Sequence, residues 1–337
     1  MAHRLNKVGF KALITLGVPA VVFLLFKGIC AAAGHPGFGG VSELPILVYN
    51  TVYYGMIALA VSYNLTSGRF DFSVGSVLIL SVIVGGTLVR DWGGGPVGLL
   101  LMMIAVGCVL GAISGLLYVW LRLPAMVVSL GVAMIFEAIA YGLNDAKGIR
   151  LIGRNDLLIY AKMPWDLIIL ACVLVVLIYL LNFTKFGYNT SSLRTGQKNA
   201  VDVGVNEKRN AVACYVIAGG LMATAGAVYF SRFATIAPKT GLSSSTFLMD
   251  AFLPMFIGVA LAKYSDRNIG TIVGAFIQAV IYQSFITLGF SISVQTVLNG
   301  VVVLLFLVYA SNYYKVGLHK MHKEKKQAAL QQRSDEG

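Results

Sequence analysis

The chain has 337 residues, of which 58% are hydrophobic and 12% are charged, and its formal net charge is +12. A mean hydropathy of +0.80 with so few charges excludes a soluble globular protein and indicates a polytopic membrane protein. The basic residues are not clustered with interleaved aromatic residues, so the net charge does not indicate a nucleic-acid partner.

About ten apolar blocks approach the ~20 residues with which a helix crosses a bilayer. In chain order they are residues 12–34, 45–66, 72–89, 96–121, 124–143, 164–183, 210–230, 246–262, 269–290 and 293–312. Lipid offers no hydrogen-bond partner to the backbone, and the alternating pattern of a membrane barrel is absent, so each block predicts a helix. The predicted fold class is all-α, a single transmembrane domain of residues 1–337 with discontinuous helices.

The basic residues sort by side of the membrane. If the chain starts inside and crosses ten times, the inside segments hold 18 Lys and Arg residues and the outside segments hold seven; Lys27, within the first span, completes the 26. The positive-inside rule therefore places both termini, residues 1–11 and 313–337, in the cytoplasm together with residues 184–209. The loop 144–163 fits this rule least, because it puts four basic residues outside.

Two features of the termini bear on membrane contact. The basic start and apolar first block precede three alanines that mimic a signal-peptide cleavage site, but the apolar run is too long for a typical signal core. We interpret it as an uncleaved first span. The basic tail 313–337 is expected to lie near anionic lipid head groups of the inner leaflet.

A polar break separates the second and third blocks at residues 67–75, Ser-Gly-Arg-Phe-Asp-Phe-Ser-Val-Gly. Breaks of this kind are tolerated at membrane depth only against protein or a water-filled cavity. Asp71 and Ser73, with Asn64 one to two turns earlier, are therefore candidate residues of a substrate pathway. The alternative is that Asp71 only caps the third span and pairs with Arg69.

Ladders of small residues occur in two spans. Gly107, Gly111 and Gly115 recur every four residues in the fourth span, and Gly270 and Gly274 do so in the ninth. Such ladders let helix backbones approach closely. They indicate either tight packing within one subunit or a seam between two copies of the chain.

Two carboxylates lie inside predicted spans, where ionisable groups are costly and indicate function by default. Glu137 is mid-span without a basic residue within one turn. Asp250 is four residues before Pro254, which lacks the amide that would bond the Asp250 carbonyl, so a polar kink is expected there. The alternative for each carboxylate is a buried, satisfied packing contact.

The longest polar passage between two apolar blocks is residues 196–209. Gly204 is predicted to end a short helix in the left-handed conformation, Asn206 to cap the next span, and Glu207 to lie in its first turn. A small apolar patch is expected on the short helix, formed by Ala200, Val201 and Val203. The alternative is a simple solvated loop.

The run from Thr195 to Arg209 resembles the cytoplasmic coupling loop of simple-sugar (ribose-type) ABC importer permeases. The residues Asp71, Ser73, Val74, Gly75 and Ser76 are similar to that family's Thr-Gly-Gly-Ile-Asp-Leu-Ser-Val-Gly-Ser signature. Residues 123–131 and 247–251 carry further similar motifs, and the resemblance extends from about residue 45 to 310. The chain departs from the family pattern at Asn64 and Arg69, and also at Glu137 and residues 261–270, where the departure bears on the substrate more than on the mechanism.

The resemblance implies a permease that moves a small sugar across a bacterial cytoplasmic (inner) membrane by alternating access. Its implied partners are an ATP-binding cassette ATPase, an extracytoplasmic solute-binding protein and a second permease copy or homologue. The implied substrate pathway contains Asn64, Asp71, Ser73, Glu137 and Asp250. The implied ATPase contacts are Gly196, Asn199, Ala200, Asp202, Gly204, Asn206 and Glu207.

Motifs for catalysis and cofactors are absent from the sequence. It has no Gly-Lys dipeptide and therefore no phosphate-cradling loop, and it has no His-Glu-x-x-His, Gly-x-Ser-x-Gly or Cys/His constellation. We expect neither enzymatic activity nor a cofactor or metal. The alternatives that stay open are an ion-coupled secondary transporter using Glu137 and Asp250, a channel-like subunit, and an ABC permease for nucleosides, polyols or branched-chain amino acids.

Overall fold

The computed structural model describes residues 2–291, 293–305 and 308. Its helices are α1 (Ala2–Ala32), α2 (Leu44–Thr66), α3 (Val74–Trp92), α4 (Pro96–Leu121), α5 (Ala125–Gly142), α6 (Trp165–Phe183), α7 (Lys185–Thr195), α8 (Gln197–Asp202), α9 (Glu207–Phe233), α10 (Thr246–Met249), α11 (Phe252–Leu261), α12 (Arg267–Thr287) and α13 (Ser293–Leu305). Two 3₁₀ turns, Leu143–Ala146 and Ser243–Ser245, and two short strands, β1 (Ile149–Arg150) and β2 (Thr235–Ile236), complete the described elements.

Within this described part, nine helical segments are long and apolar enough to cross a membrane. They correspond to the first nine predicted blocks, and the eighth is the interrupted segment Ser243–Leu261. The prediction of an all-α polytopic membrane protein is confirmed. The tenth block is described only as far as α13, and the basic tail 313–337 lies outside the described residues.

Residues 2–288 form one compact unit, and the described residues from Gly289 onward form a second. Within the first unit the spans differ in how much of their surface the protein covers. In the apolar windows of α9 and α3, 78% and 72% of residues are buried, against 22% in α6 and 17% in α1. Helices α3 and α9 are therefore central, whereas α1 and α6 present most of their surface to lipid.

The loops 143–164 and 234–242 share one end of the helix bundle, which we call the strand face. Strand β1 pairs antiparallel with β2, with Ile149 opposite Ile236. Nearby, Asn144 Nδ2 donates a hydrogen bond to Thr87 Oγ1 over 2.9 Å, which ties this loop to the end of α3. Both loops were predicted to lie on the same side of the membrane, and the structure brings them together.

The opposite end of the bundle carries residues 184–206 and is called the polar-loop face. There the Tyr63 hydroxyl of α2 donates to Asn268 Oδ1 at the start of α12 over 2.8 Å. The Asn210 amide of α9 donates to Thr190 Oγ1 of α7, also over 2.8 Å. The first of these buried bonds joins α2 to α12, and the second joins the polar loop to the start of the central helix α9.

The glycine ladder of α4 packs directly on the backbone of α9. A Cβ added at Gly111 would overlap the carbonyl oxygen of Tyr215, and one added at Gly107 would lie 2.5 Å from that of Gly219. A Cβ added at Gly219 would likewise overlap the carbonyl oxygen of Gly107. Because only glycine leaves room for this approach, the ladder is a contact within one subunit.

The ladder of α12 is also internal. A Cβ at Gly274 would lie 2.6 Å from the carbonyl oxygen of Pro254, and one at Gly270 would lie 3.1 Å from that of Gly258, both on α11. The alternative that either ladder forms a seam between two copies is therefore wrong for these glycines. Their neighbours are helices of the same chain.

Replacing Gly111 with leucine tests the α4 and α9 contact. The side chain would meet backbone atoms that cannot rotate away, so we expect a loss of about 3 kcal/mol in folding stability and little protein surviving extraction. Gly98 lies on the same helix with nothing within 4 Å of its position, so Gly98→Leu is the matched control. Equal yields and melting temperatures of the two variants in detergent would contradict the proposed role of the contact.

Candidate functional site

The first helix break, residues 67–73, joins α2 to α3. Asp71 Oδ1 accepts two hydrogen bonds from Ser73, one from its backbone N–H over 2.9 Å and one from its hydroxyl over 2.6 Å. The carboxylate thus caps the start of α3, as the structural alternative predicted. The same alternative paired Asp71 with Arg69, but no ion pair joins these two side chains among the described residues.

Two polar side chains beside this break are buried with polar atoms that lack a hydrogen bond in the described part of the chain. Asn64 is 1% exposed, and both atoms of its amide group lack a hydrogen bond. Arg69 is 3% exposed, and its Nε and Nη2 atoms lack one too. Unpaired polar groups at membrane depth are costly, which makes Asn64 and Arg69 stronger functional candidates than surface residues of the same type.

The break lies inside the bundle. The Ser73 hydroxyl is 3.5 Å from that of Ser114, which is two turns, about 10 Å, before the end of α4 at the polar-loop face. A cavity of about 10 Å³, enough for one water molecule, separates Asp71 from Tyr215 of α9. Asp71 and Ser73 therefore lie at membrane depth on the side of the polar loop.

The second break interrupts the eighth span. After β2 the chain runs without helix into the bundle, makes the turn Ser243–Ser245 and the single turn α10, and breaks again at Asp250 before α11. The kink predicted at Asp250 and Pro254 is confirmed at this point. A Cβ at Gly75, in the first turn of α3, would overlap the Ser244 carbonyl oxygen. The two breaks therefore meet, and Gly75 is the residue that allows it.

Glu137 of α5 caps the second break. Its Oε2 accepts a hydrogen bond from the Leu242 backbone N–H and its Oε1 accepts one from that of Ser244, both over 2.8 Å. The carboxylate is 3% exposed, so both oxygens are committed to the backbone that starts this half-helix. Glu137 is a satisfied buried contact, as its structural alternative predicted, and it lies where the two breaks meet.

Asp250 has a different environment. Its carboxylate accepts no hydrogen bond from the residues that the structure describes, and the charge that acts on it is that of Lys239. Lys239 donates to Thr246 Oγ1 over 2.9 Å and lies 4.3 Å above the Phe247 ring. Burial lowers the pKa of Lys239, whereas the carboxylates of Asp250 and Glu137 raise it. A cation and two carboxylates thus share this part of the bundle.

The sequence missed several residues of the site. No sequence pattern placed Lys239 in the site, because it was counted only as one of the seven basic residues on the outer side of the membrane. Gly75 was noticed as part of a motif but not as the contact point of two breaks. Tyr215 and Ser114 lie within ordinary apolar spans, where only the packing of α4 on α9 brings them to Asp71.

The polar loop has the local structure that its sequence predicts. Gly204 ends α8 at φ +94°, in the left-handed region, and Val205 N–H returns to the Ala200 carbonyl over 3.0 Å. Asn206 caps α9 by accepting from the Arg209 N–H over 3.0 Å. Glu207, in the first turn, accepts from the Gln197 amide over 2.6 Å and closes the loop on itself.

The apolar patch of this loop differs from the predicted one. Ala200 is 4% exposed and faces inward, whereas Val201 and Val203 are 44% and 80% exposed. A helix of six residues has one buried face, and Ala200 supplies it. The other residues of the predicted ATPase contact, Asn199, Asp202, Gly204 and Asn206, are exposed, Glu207 is half-buried, and Gly196 joins α7 to α8 in extended backbone.

Comparison with known proteins adds independent evidence. The model of one family, described as branched-chain amino acid transport system / permease component, matches residues 45–308. The chain is 30% identical to the ribose import permease protein of Bacillus subtilis over 282 residues, covering 80% of this chain and 85% of that protein.

Two further relatives span most of their own length. The fructose import permease protein of Rhizobium meliloti is 22% identical, over 80% of this chain and 76% of that protein. The autoinducer 2 import system permease protein of Photorhabdus luminescens is 26% identical, over 86% of this chain and 87% of that protein. All three names describe permeases of import systems.

Glu137→Gln tests the cap of the second break. Glutamine has a single acceptor oxygen, so one of the two backbone N–H groups, of Leu242 or Ser244, is left buried and unpaired. We expect a loss of about 1–3 kcal/mol and a lower melting temperature in detergent. Asp145→Asn, at a carboxylate whose side chain is 91% exposed on the strand face, is the control. A melting temperature as high as that of the control would exclude the cap.

Proposed function

The chain belongs to the family of branched-chain amino acid transport system permease components, a family of ABC importer permease subunits rather than enzymes, and we propose that it carries a small neutral sugar. The observation that carries the proposal is that the protein's own carboxylates lie at the two half-helix starts that meet at Gly75. Asp71 caps α3, and Glu137 caps the turn before α10.

This capping bears on the charge of the substrate. The start of a helix carries partial positive charge, and transporters with broken helices point free half-helix starts at anionic substrate groups. Asp71 and Glu137 already occupy those positions here, so a substrate carboxylate or phosphate would meet like charge. A neutral, hydroxyl-bearing solute fits the site, whereas a branched-chain amino acid, with its carboxylate, fits it poorly.

The names of the relatives support the same substrate class. Two of those compared above are named for the import of ribose and of fructose, both neutral sugars. The substrate would pass from the strand face along the second break, past the contact of Gly75 with Ser244, to the first break near the polar-loop face. Asp250, Asp71, Ser73, Asn64 and, as a capping residue, Glu137 would flank that route.

Transport would be driven by a separate ATPase that docks on residues 184–209. In this proposal Val201 and Val203 give the loop an exposed apolar contact, and Asn199, Asp202 and Glu207 give polar ones. Gly196 sets the angle between α7 and α8, Ala200 holds α8 against the bundle, and Gly204 with Asn206 fixes its exit into α9. Movement of the loop would reach α9 first, because Asn206 caps that helix.

The remaining partners follow from this arrangement. A solute-binding protein would deliver the sugar to the strand face, which lies opposite the ATPase. A second permease copy or homologue would complete the membrane part, in a bacterial inner membrane. The ion-coupled alternative loses support, because both oxygens of Glu137 are held by backbone N–H groups and the residue cannot readily exchange a proton.

The proposed function is tested by uptake into liposomes containing the chain and its cognate ATPase, with the solute-binding protein added outside. We expect uptake of labelled D-ribose or D-fructose that requires ATP, competition by unlabelled sugars or polyols, and no competition by leucine. The purified chain alone should hydrolyse no ATP. Proton-driven uptake without ATP would reject the importer, and competition by leucine would reject the neutral-solute argument.

Gly204→Val tests the polar loop as the docking segment. Valine is strained at φ +94° by about 1 kcal/mol or more, so α8 should lose its shape and ATP hydrolysis should lose its stimulation by sugar-loaded binding protein. Gly153 on the strand face has nearly the same φ, +92°, and equally open surroundings. Gly153→Val therefore imposes the same strain at the other face, and an equal transport defect in both variants would count against docking.

A further inference from the structure

A cluster of five tyrosines lies beside the second break, where the ring centroid of Tyr229 is 5.9 Å from that of Phe247, three residues before Asp250. It comprises Tyr49, Tyr53 and Tyr54 of α2, Tyr229 of α9 and Tyr282 of α12. We call it the tyrosine cluster. Three helices that are far apart in sequence converge here, so the cluster is a product of the fold and not of one aromatic run.

The rings of the cluster form a continuous wall. The centroid of Tyr53 is 5.3 Å from that of Tyr54, 5.7 Å from that of Tyr229 and 6.2 Å from that of Tyr49, and Tyr54 is 6.0 Å from Tyr282. The three tyrosines of α2 are 5–6% exposed. Their position in the first half of α2 places them in the strand-face half of the bundle, the side from which a solute would arrive.

Polar groups of this wall are available for a ligand. Asp250 follows directly after α10, and its charge acts on the phenol groups of Tyr53, Tyr54 and Tyr282. Among the described residues, neither the Asp250 carboxylate nor the hydroxyls of Tyr53 and Tyr54 form a hydrogen bond. Asp250 is half-buried, so its carboxylate is accessible to a hydrogen-bond donor on a solute.

The chemistry of the wall selects a class of ligand. The faces of aromatic rings bury the C–H surface of a solute. Phenol hydroxyls and a carboxylate form hydrogen bonds with the hydroxyl groups of the solute. An apolar solute would leave the Asp250 carboxylate unpaired, and an anion would be repelled by it. A neutral polyhydroxyl ring offers both an apolar face and several donors.

We propose that Asp250 with Tyr53 and Tyr54 forms a sugar-binding subsite on the strand-face half of the permease, walled by the other rings of the tyrosine cluster. The subsite rests on the proposed function for its ligand class, and it adds residues that neither motif nor family match had singled out. Lys239 donates a hydrogen bond to Thr246 Oγ1 over 2.9 Å, lies 4.3 Å from the centroid of the Phe247 ring, and balances the carboxylate charge.

The subsite is tested by measuring the binding of D-ribose to the full-length chain in lipid nanodiscs. Binding is measured by ligand-observed NMR, in the absence of any partner protein. We expect saturable, weak binding that D-fructose and ribitol compete for and leucine does not. Asp250→Asn, which keeps the size and removes the charge, should raise Kd about tenfold, as expected for a hydrogen bond to an ionised group. Tyr54→Phe removes one neutral hydroxyl and should raise it about fivefold.

The matched control is Tyr179→Phe on α6, whose side chain is 61% exposed and stacks on Phe183 away from the cluster. It should leave Kd unchanged, and all three variants should match the wild type in yield and melting temperature. Values of Kd within twofold of the wild type for both Asp250→Asn and Tyr54→Phe would overturn the subsite. Absence of saturable binding of all three neutral probes to the wild type would overturn it as well.

Failure of the subsite and failure of the proposed function give different results. If uptake proves independent of ATP but the NMR pattern is as expected, the subsite stands and the importer is rejected. If uptake depends on ATP and the variants bind and transport like the wild type, the importer stands and the subsite is rejected.

Discussion

The direct backbone contact between α4 and α9 is the constraint on which the rest of the protein depends. Gly107 and Gly111 have no side chain to keep the helices apart, so the carbonyls of Gly219 and Tyr215 pack against them. This contact sets Tyr215 beside Asp71 and Ser114 beside Ser73, and it makes α9 the most buried span of the described chain. The first break can exist at membrane depth because these two helices close over it.

Two carboxylates solve the same physical problem in the interior. A helix that starts inside a membrane leaves backbone N–H groups without partners, and lipid cannot supply them. Asp71 satisfies one such group locally, that of Ser73, whereas Glu137 satisfies two from another helix. The contact of Gly75 with Ser244 then brings the two capped starts together. In the proposed function stability and selectivity are linked, because the groups that stabilise the breaks would also keep anions away from them.

Sequence predicted what local chemistry decides. Nine spans, the left-handed Gly204, the Asn206 cap and the kink at Asp250 follow from hydropathy, from glycine conformations and from proline, each within a few residues. It did not predict contacts between distant segments. Glu137 and Ser244 are 107 residues apart, and the tyrosine cluster joins three helices, so neither has a signature in any short window. The inward position of Ala200 was not predicted for a related reason, since tertiary packing decides which side of a short helix is buried.

Helix α9 gives the proposed functions a common mechanical basis. It starts at the Asn206 cap beside the polar loop, passes Asn210 and Cys214, lines the cavity at Tyr215, and reaches the tyrosine cluster at Tyr229, about 33 Å from its start. Its close contact with α4 resists sliding, because moving either helix along the other would drive carbonyls into Cα atoms. A displacement at the loop would therefore move α9 and α4 as one body and change the walls of both breaks together. Alternating access requires this property, since a wall that deformed locally would open one end without closing the other.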